Sequence, residues 1–196
     1  MIYSMKPLGC DPAKLKGLSE KLIVSHYENN YGGAVKRLNA IAEQLAALDF
    51  AKAAVFTING LKREELIATN SMILHELYFD GLGESGGPTG KLSDAIKKDF
   101  GSIERWQAEF SCMGKAQGGG SGWVLLTYSH RDRKLVNQWA ADHTSNLAGG
   151  TPILALDMYE HSYHMDYGAN AGAYVDAFMK VINWGAVDTA FSRLST

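Results

Sequence analysis

The chain has 196 residues, 46% of them apolar and 20% charged, with a formal net charge of -2. That length supports one or two domains with a sizeable core, and the near-neutral charge without a Lys/Arg cluster argues against a nucleic-acid partner. No apolar run reaches the ~18 residues of a membrane span, residues 1–9 lack the apolar core of a secretory leader, and Cys10 and Cys112 have neither metal-type spacing nor a disulfide framework. The expectation is a soluble cytoplasmic protein that engages neither nucleic acid nor membrane.

Residues 12–50 read as helical. Asp11 is a candidate N-cap and Pro12 suits a first turn. Leu15, Leu18, Leu22 and Ile23, then Val35, Leu38, Ile41, Leu45 and Leu48, repeat at helical spacing. Gly32-Gly33 predicts a kink or a break into two helices. His26 reads locally as a structural or exposed histidine, with metal ligation as the alternative. Residues 63–82 carry a second helical pattern in Leu66, Ile67, Ile73, Leu74, Leu77 and Tyr78, with Glu64-Glu65 at its start. His75 within it is either a core histidine with a hydrogen-bond partner or a ligand. Residues 80–90 are rich in Gly, Pro and Ser and break any helix. No lysine stands where a phosphate-binding loop needs one and no strand precedes, so this stretch is a linker.

In the second half, residues 92–102 predict a helix closed by Gly101, and Ser102 caps another running to about Lys115. The glycines of 118–122 lead into a β-rich run to Tyr128. Residues 130–133 form a polar hairpin turn, 134–140 a second strand and 153–156 a third. Residues 174–184 predict an apolar helix with Gly185 as its C-cap. The third strand runs into Asp157-Met158-Tyr159-Glu160-His161. If a helix starts at Asp157, a carboxylate and an imidazole at i and i+4 share one face and can point at one ion. The plainer reading is an N-cap Asp and a surface His, and the spacing by itself is unspecific.

The longer run D-M-Y-E-H-S-Y-H-M-D-Y from Asp157 to Tyr167 resembles the D-x-W-E-H-A-Y-Y-x-x-Y signature of the iron/manganese superoxide dismutases. The resemblance extends along nearly the whole chain. The family segment H-x-x-x-H-H-x-x-Y-V-x-x-L-N is matched at His26, Val35, Leu38 and Asn39. It is not matched at Asn30, Tyr31 and Ala34, where the family has His, His and its gateway tyrosine. Residues 70–82 look like N-H-x-x-F/Y-W-x-x-L, with His75 on the ligand and Phe79 on the usual tryptophan. The K-L-x-x-A-I-x-x-D-F-G-S segment is close, and G-S-G-W-x-W-L is matched at Trp123 but has Leu125 for the second tryptophan. Tyr159 replaces the signature tryptophan, His164 replaces a tyrosine and Ala171 replaces the arginine that helps attract anions. Asn30 and His164 are candidates for a swapped pair.

What the resemblance implies is specific. His26, His75, Asp157 and His161 ligate one iron or manganese ion per subunit. His143 falls where some members place a Gln or His bonded to the metal's solvent, though it also reads as an ordinary loop histidine. Trp123 matches an outer residue of the site, and Glu160 a glutamate that reaches the partner's ligand histidine across a homodimer, with a tetramer as the alternative. Three imidazoles and a carboxylate form an N/O set that does not favour copper(I) or an iron–sulfur cluster; zinc would take such groups tetrahedrally. The implied activity is conversion of superoxide to dioxygen and hydrogen peroxide by an ion alternating between +2 and +3. The implied fold is α+β: a helical hairpin domain (1–84), the linker (80–90), and a C-terminal domain (91–196) with a small, about three-stranded antiparallel sheet surrounded by helices. The alternatives are a metalloprotein on the same scaffold acting on an organic substrate or with little dismutase activity, and a metal-free helical interaction protein.

Overall fold

Asp11 caps as its sequence context predicts. Its carboxylate accepts the Ala13 N–H at 3.1 Å and opens a single 3-10 turn, Pro12–Lys14. This computed structural model describes residues 2–84 and 86–194. Met1, in the stretch read for a leader, Ser85, in the linker, and Ser195 and Thr196, at the end of the C-terminal half, lie outside the described residues.

The predicted continuous helical stretch from residue 12 is interrupted after the first turn, where Gly17 takes φ +93°. Helix α1, Glu20–Ser25, begins only where the Ser19 hydroxyl accepts the Leu22 N–H at 3.1 Å. It passes into one π-helical segment, His26–Tyr31, and then into α2, Gly32–Ala47. The predicted break at Gly32-Gly33 does not occur. Gly32 serves a close approach instead: a Cβ there would stand 3.0 Å from Met5 Sδ. The irregularity sits one turn earlier, at His26.

Helix α3 spans Val55–Asp80 and packs on α2. It starts well before the predicted residue 63. Glu64 and Glu65 do not mark its start; they pair with Arg37 of α2 and with Lys62. Two helices then follow as predicted. In α4, Gly90–Phe100, the closing Gly101 has φ +91°. In α5, Ile103–Ala116, the Ser102 hydroxyl accepts the Arg105 N–H at 3.1 Å.

Strands β1 (Trp123–Ser129), β2 (Lys134–Ala140) and β3 (Gly150–Asp157) form an antiparallel sheet of order β2-β1-β3. The central strand is covered on both faces, so Trp123 to Leu126 are all buried. β3 is longer than the predicted 153–156 because it pairs along all of β1, from Trp123 opposite Asp157 to Ser129 opposite Gly150. The register slips by one between Leu126 and Thr127, beside Pro152, which has no N–H to give the ladder. The β2–β3 connection, residues 141–149, carries His143 over the sheet end that holds Trp123 and Asp157.

The predicted helix over 174–184 is two helices, α7 (Ala171–Phe178) and α8 (Trp184–Ser192), after a short α6 (His164–Tyr167). The side chains of Asn170 and Asn183 cap them, accepting the Ala173 and Ala186 N–H groups at 3.1 and 3.2 Å. Gly185 therefore lies in the first turn of α8 and is not a C-cap. Between the two helices Ile182 bridges Leu82, and the Gly83 N–H donates to Val181 at 2.8 Å. The architecture is α+β, a helical first half followed by a three-stranded antiparallel sheet with helices around it. No helix among the described residues is long and apolar enough to cross a membrane.

Candidate metal centre

Four elements bring His26, His75, Asp157 and His161 together. His26 opens the π-helical segment, His75 lies in α3, Asp157 ends β3 and His161 sits in a 3-10 turn, Glu160–Ser162. One candidate ligand atom from each lies within 4.8 Å of the others. Asp157 Oδ2 is 3.1 Å from His26 Nε2, 3.2 Å from His161 Nε2 and 3.6 Å from His75 Nε2. The first three residues are buried, and the His161 side chain keeps 27% exposure.

Asp157 and His161 do not meet on a helix face, as the i and i+4 spacing suggested. β3 runs to Asp157 and the chain then turns, with Asp157 Oδ1 accepting the Tyr159 N–H at 2.8 Å. Asp157 is therefore not an N-cap, since the 3-10 turn that follows has Tyr159 at its cap position and no side-chain cap; one carboxylate oxygen closes an Asx turn and the other faces the three imidazoles. Hydroxyls of Ser162 and Tyr174 both donate to the Asp157 carbonyl at 2.8 Å and fix its backbone.

His75 has the hydrogen-bond partner that its core reading expects. Its Nδ1 donates to the Ser71 carbonyl at 2.6 Å, which leaves the Nε2 lone pair directed at the cluster. Among the described residues neither His75 Nε2 nor either ring nitrogen of His26 has a hydrogen bond of good geometry, although all are buried and His26 Nε2 and His75 Nε2 lie close to Asp157 Oδ2. Such orphaned polar atoms are costly unless something binds them. A metal ion is the group that fits, because two of these nitrogens converge with His161 Nε2 on one carboxylate oxygen. Burial pushes the His75 imidazole down to about 3 and lowers that of His26 as well, which keeps both as neutral lone-pair donors. Burial pushes the Asp157 carboxyl up, but His161 and His26 beside it outweigh that and hold it well below the usual carboxylate range.

The surrounding shell includes both His143 and Trp123. The Trp123 indole N–H donates to His143 Nδ1 at 3.0 Å, and burial lowers the His143 imidazole. A neutral ring that accepts at Nδ1 carries its proton on Nε2. Asn70 of α3 donates to the His143 carbonyl at 2.6 Å. Asp142 gathers the same loop by accepting from the Thr144 N–H and hydroxyl and the Ser145 hydroxyl. Tyr159 lies in a near-parallel stack with His143 at 4.8 Å and with His161 at 5.4 Å. Burial pushes its phenol up to about 12. Glu160 is exposed beside His161.

The departures from the family pattern at Asn30, Tyr31, Ala34, Leu125, His164 and Ala171 differ in their surroundings. Ala34, Leu125 and Ala171 are simply buried. Asn30 and His164 share no hydrogen bond within the chain among the described residues, and His164 is exposed. Tyr31 turns its hydroxyl toward Glu76 and Lys6. Sequence reasoning missed Asn70, Ser71, Asp142 and Glu76 as supports of the site. Ser71 alone carried a local signal, since it stands one helical turn before His75.

Comparison with known proteins bears on the same residues. A model of the C-terminal domain of the iron/manganese superoxide dismutases matches residues 88–190, which include His143, Asp157 and His161. Superoxide dismutase [Fe] of Cupriavidus metallidurans is 75% identical over 192 residues, covering 98% of each chain. Superoxide dismutase [Mn] 1 of Halobacterium salinarum is 37% identical over 97% of this chain and 96% of its own. Superoxide dismutase [Fe] of Aquifex pyrophilus is 35% identical over 93% of this chain and 88% of its own. These matches run through both halves of the fold that contribute to the cluster, and the chain belongs to the iron/manganese superoxide dismutase family.

Proposed function

We propose that this protein is a superoxide dismutase in which His26, His75, Asp157 and His161 hold one iron ion per subunit. The observation that carries it is the set of buried, unpartnered imidazole nitrogens converging with His161 on one Asp157 oxygen. The choice of iron over manganese rests on the 75% identical relative named for iron.

The bound ion supplies a one-electron redox couple for turning superoxide into dioxygen and hydrogen peroxide. The rest is the work of this chain's side chains. Asp157 contributes the negative charge that offsets the cation, and burial of His26 and His75 excludes water that would compete for their lone pairs. Ser71 fixes the ring of His75 by holding its Nδ1 proton. Peroxide formation consumes two protons, and His143 presents its Nε2–H as a donor because Trp123 occupies Nδ1. Access runs beside His161, the one member of the cluster with exposure, past Tyr159.

The reading divides the chain at the 80–90 linker, with two ligands from 1–84 and two from 91–196. It includes a homodimer in which the exposed Glu160 reaches the partner subunit, and a cytoplasmic location, which suits the unpaired Cys10 and Cys112. The test is the dismutation rate per bound metal on protein of assayed iron and manganese content. A rate approaching roughly 10⁸ M⁻¹s⁻¹ with iron is expected. Iron-loaded protein without dismutation, or activity with manganese alone, overturns the reading.

A further inference from the structure

Residues 3–6 have no secondary structure, yet side chains tie them down at successive points. Asn39 holds both main-chain groups of Tyr3, at 2.8 and 2.9 Å. Met5 lies on Gly32, where a Cβ would meet its sulfur at 3.0 Å. The Lys6 N–H donates to the Tyr31 hydroxyl at 2.8 Å, and the Tyr27 hydroxyl donates to the Lys6 carbonyl at 2.6 Å. The Lys6 ammonium stands 2.5 Å from Glu76 Oε2, while the Tyr31 hydroxyl donates to Glu76 Oε1 at 3.0 Å. The segment thus runs from Asn39 back along α2 to the π-helical segment and ends on α3, at the residue after His75. The Tyr31 ring is buried and stacks near-parallel to the His75 imidazole, at 6.4 Å and 21°.

We propose that residues 3–6 are a strap that secures the π turn, and that Tyr31 is a positioning residue that sets the His75 imidazole in the metal site. This rests on the metal-site reading above. A π turn is a rare, poorly self-sustaining geometry. Reversion to α-helical pitch would rotate His26 and Tyr31 relative to each other. The strap opposes that by gripping Tyr27 and Tyr31 within the π-helical segment and Gly32 at the start of α2. Glu76 couples the same grip to the helix that presents His75, and the ring of Tyr31 backs that imidazole.

The experiment uses the full-length iron-loaded protein and reads the high-spin ferric EPR spectrum, which reports ligand geometry independently of turnover. Tyr31→Phe keeps the ring and loses both hydroxyl contacts. Asn39→Ala frees the strap at Tyr3 and leaves Tyr31, Glu76 and His75 intact. Both are expected to shift the rhombicity of the signal, and Tyr31→Phe to lose iron to a chelator roughly tenfold faster. Hydrogen exchange of the Lys6 amide should quicken in both. Folded variants with the wild-type spectrum and wild-type iron retention overturn the strap. Where Tyr31→Phe does not fold, Asn39→Ala decides alone: a wild-type spectrum with a freed Lys6 amide overturns the proposal. A wild-type protein that takes up no iron overturns the metal-site reading instead, before any variant is compared.

Discussion

Replacing Trp123 by Phe tests how the site controls one proton. The indole is fully buried, and its N–H donates to His143 Nδ1 at 3.0 Å. Phenylalanine keeps an apolar ring beside His75 and Tyr159, whose rings lie 5.3 and 6.3 Å from the indole. It removes the only donor that Nδ1 has among the described residues. Leaving a fully buried acceptor unsatisfied costs about 1–3 kcal/mol; His143 is only partly buried, so the lower end applies, about 1–1.5 kcal/mol, which is about 5- to 13-fold in an equilibrium. That penalty falls on the tautomer with a bare Nδ1, so a substantial Nδ1–H population should emerge and the Nε2–H donor should be lost to the same extent. The turnover step that takes a proton should slow by about tenfold. The assay is the pair of ¹⁵N shifts of His143 in zinc-loaded protein near neutral pH, where burial keeps the ring uncharged. Turnover of the iron form is measured in parallel. If His143 stays entirely in the Nε2–H form, the indole is not what sets its tautomer and the argument fails.

Two further outcomes follow from the geometry. Gly122 has φ +126°, and a Cβ there would lie 2.1 Å from the Ala140 carbonyl oxygen, so Gly122→Ala should cost about 3 kcal/mol or more. Because Gly122 also accepts the Met158 N–H at 2.9 Å next to Asp157, metal uptake should fall with stability; a denaturation midpoint equal to wild type would contradict this. For the metal-free protein, burial lowers His75 from the ordinary 6.5 to about 3. The unfolded chain therefore binds a proton near pH 6.5 that the folded chain refuses until about pH 3. The stability this histidine contributes is fully present above pH 6.5 and is lost progressively as pH falls toward 3. Urea midpoints of chelator-treated protein should decline over that window, and a flat profile from pH 7 to 4 would count against a buried neutral His75.

Several features of the fold and site were readable before any coordinates. Asp11, Ser102 and Gly101 cap as read, and β2 spans its predicted residues, because capping and alternation depend on neighbours within one turn. The four candidate ligands were named through a resemblance of motifs, not through spacing. Residue type also foretold their chemistry, an N/O donor set without thiolate. Some helix boundaries differ from the reading. α3 runs on from Val55 through Glu64-Glu65, whose carboxylates pair with Arg37 and Lys62 instead of marking a start, and the helix over 174–184 divides where Ile182 bridges Leu82 and Asn183 caps α8.

The sequence by itself thus determined the class of fold, the family and the donor atoms on offer. Only the tertiary structure decided which atoms face one another. It turned Asp157 Oδ2 toward three imidazoles and Oδ1 toward a backbone N–H, put the Ser71 carbonyl on His75, and brought Trp123 to His143. It also placed Tyr31, which occupies a family histidine position, against Glu76 and a strap from the N-terminal segment. The physical reason is range. Caps, turns and strand alternation are settled by interactions a few residues apart. Imidazole orientation and the π turn depend on contacts between Lys6 and Tyr31, Asn70 and His143, and Tyr3 and Asn39, which no local pattern encodes.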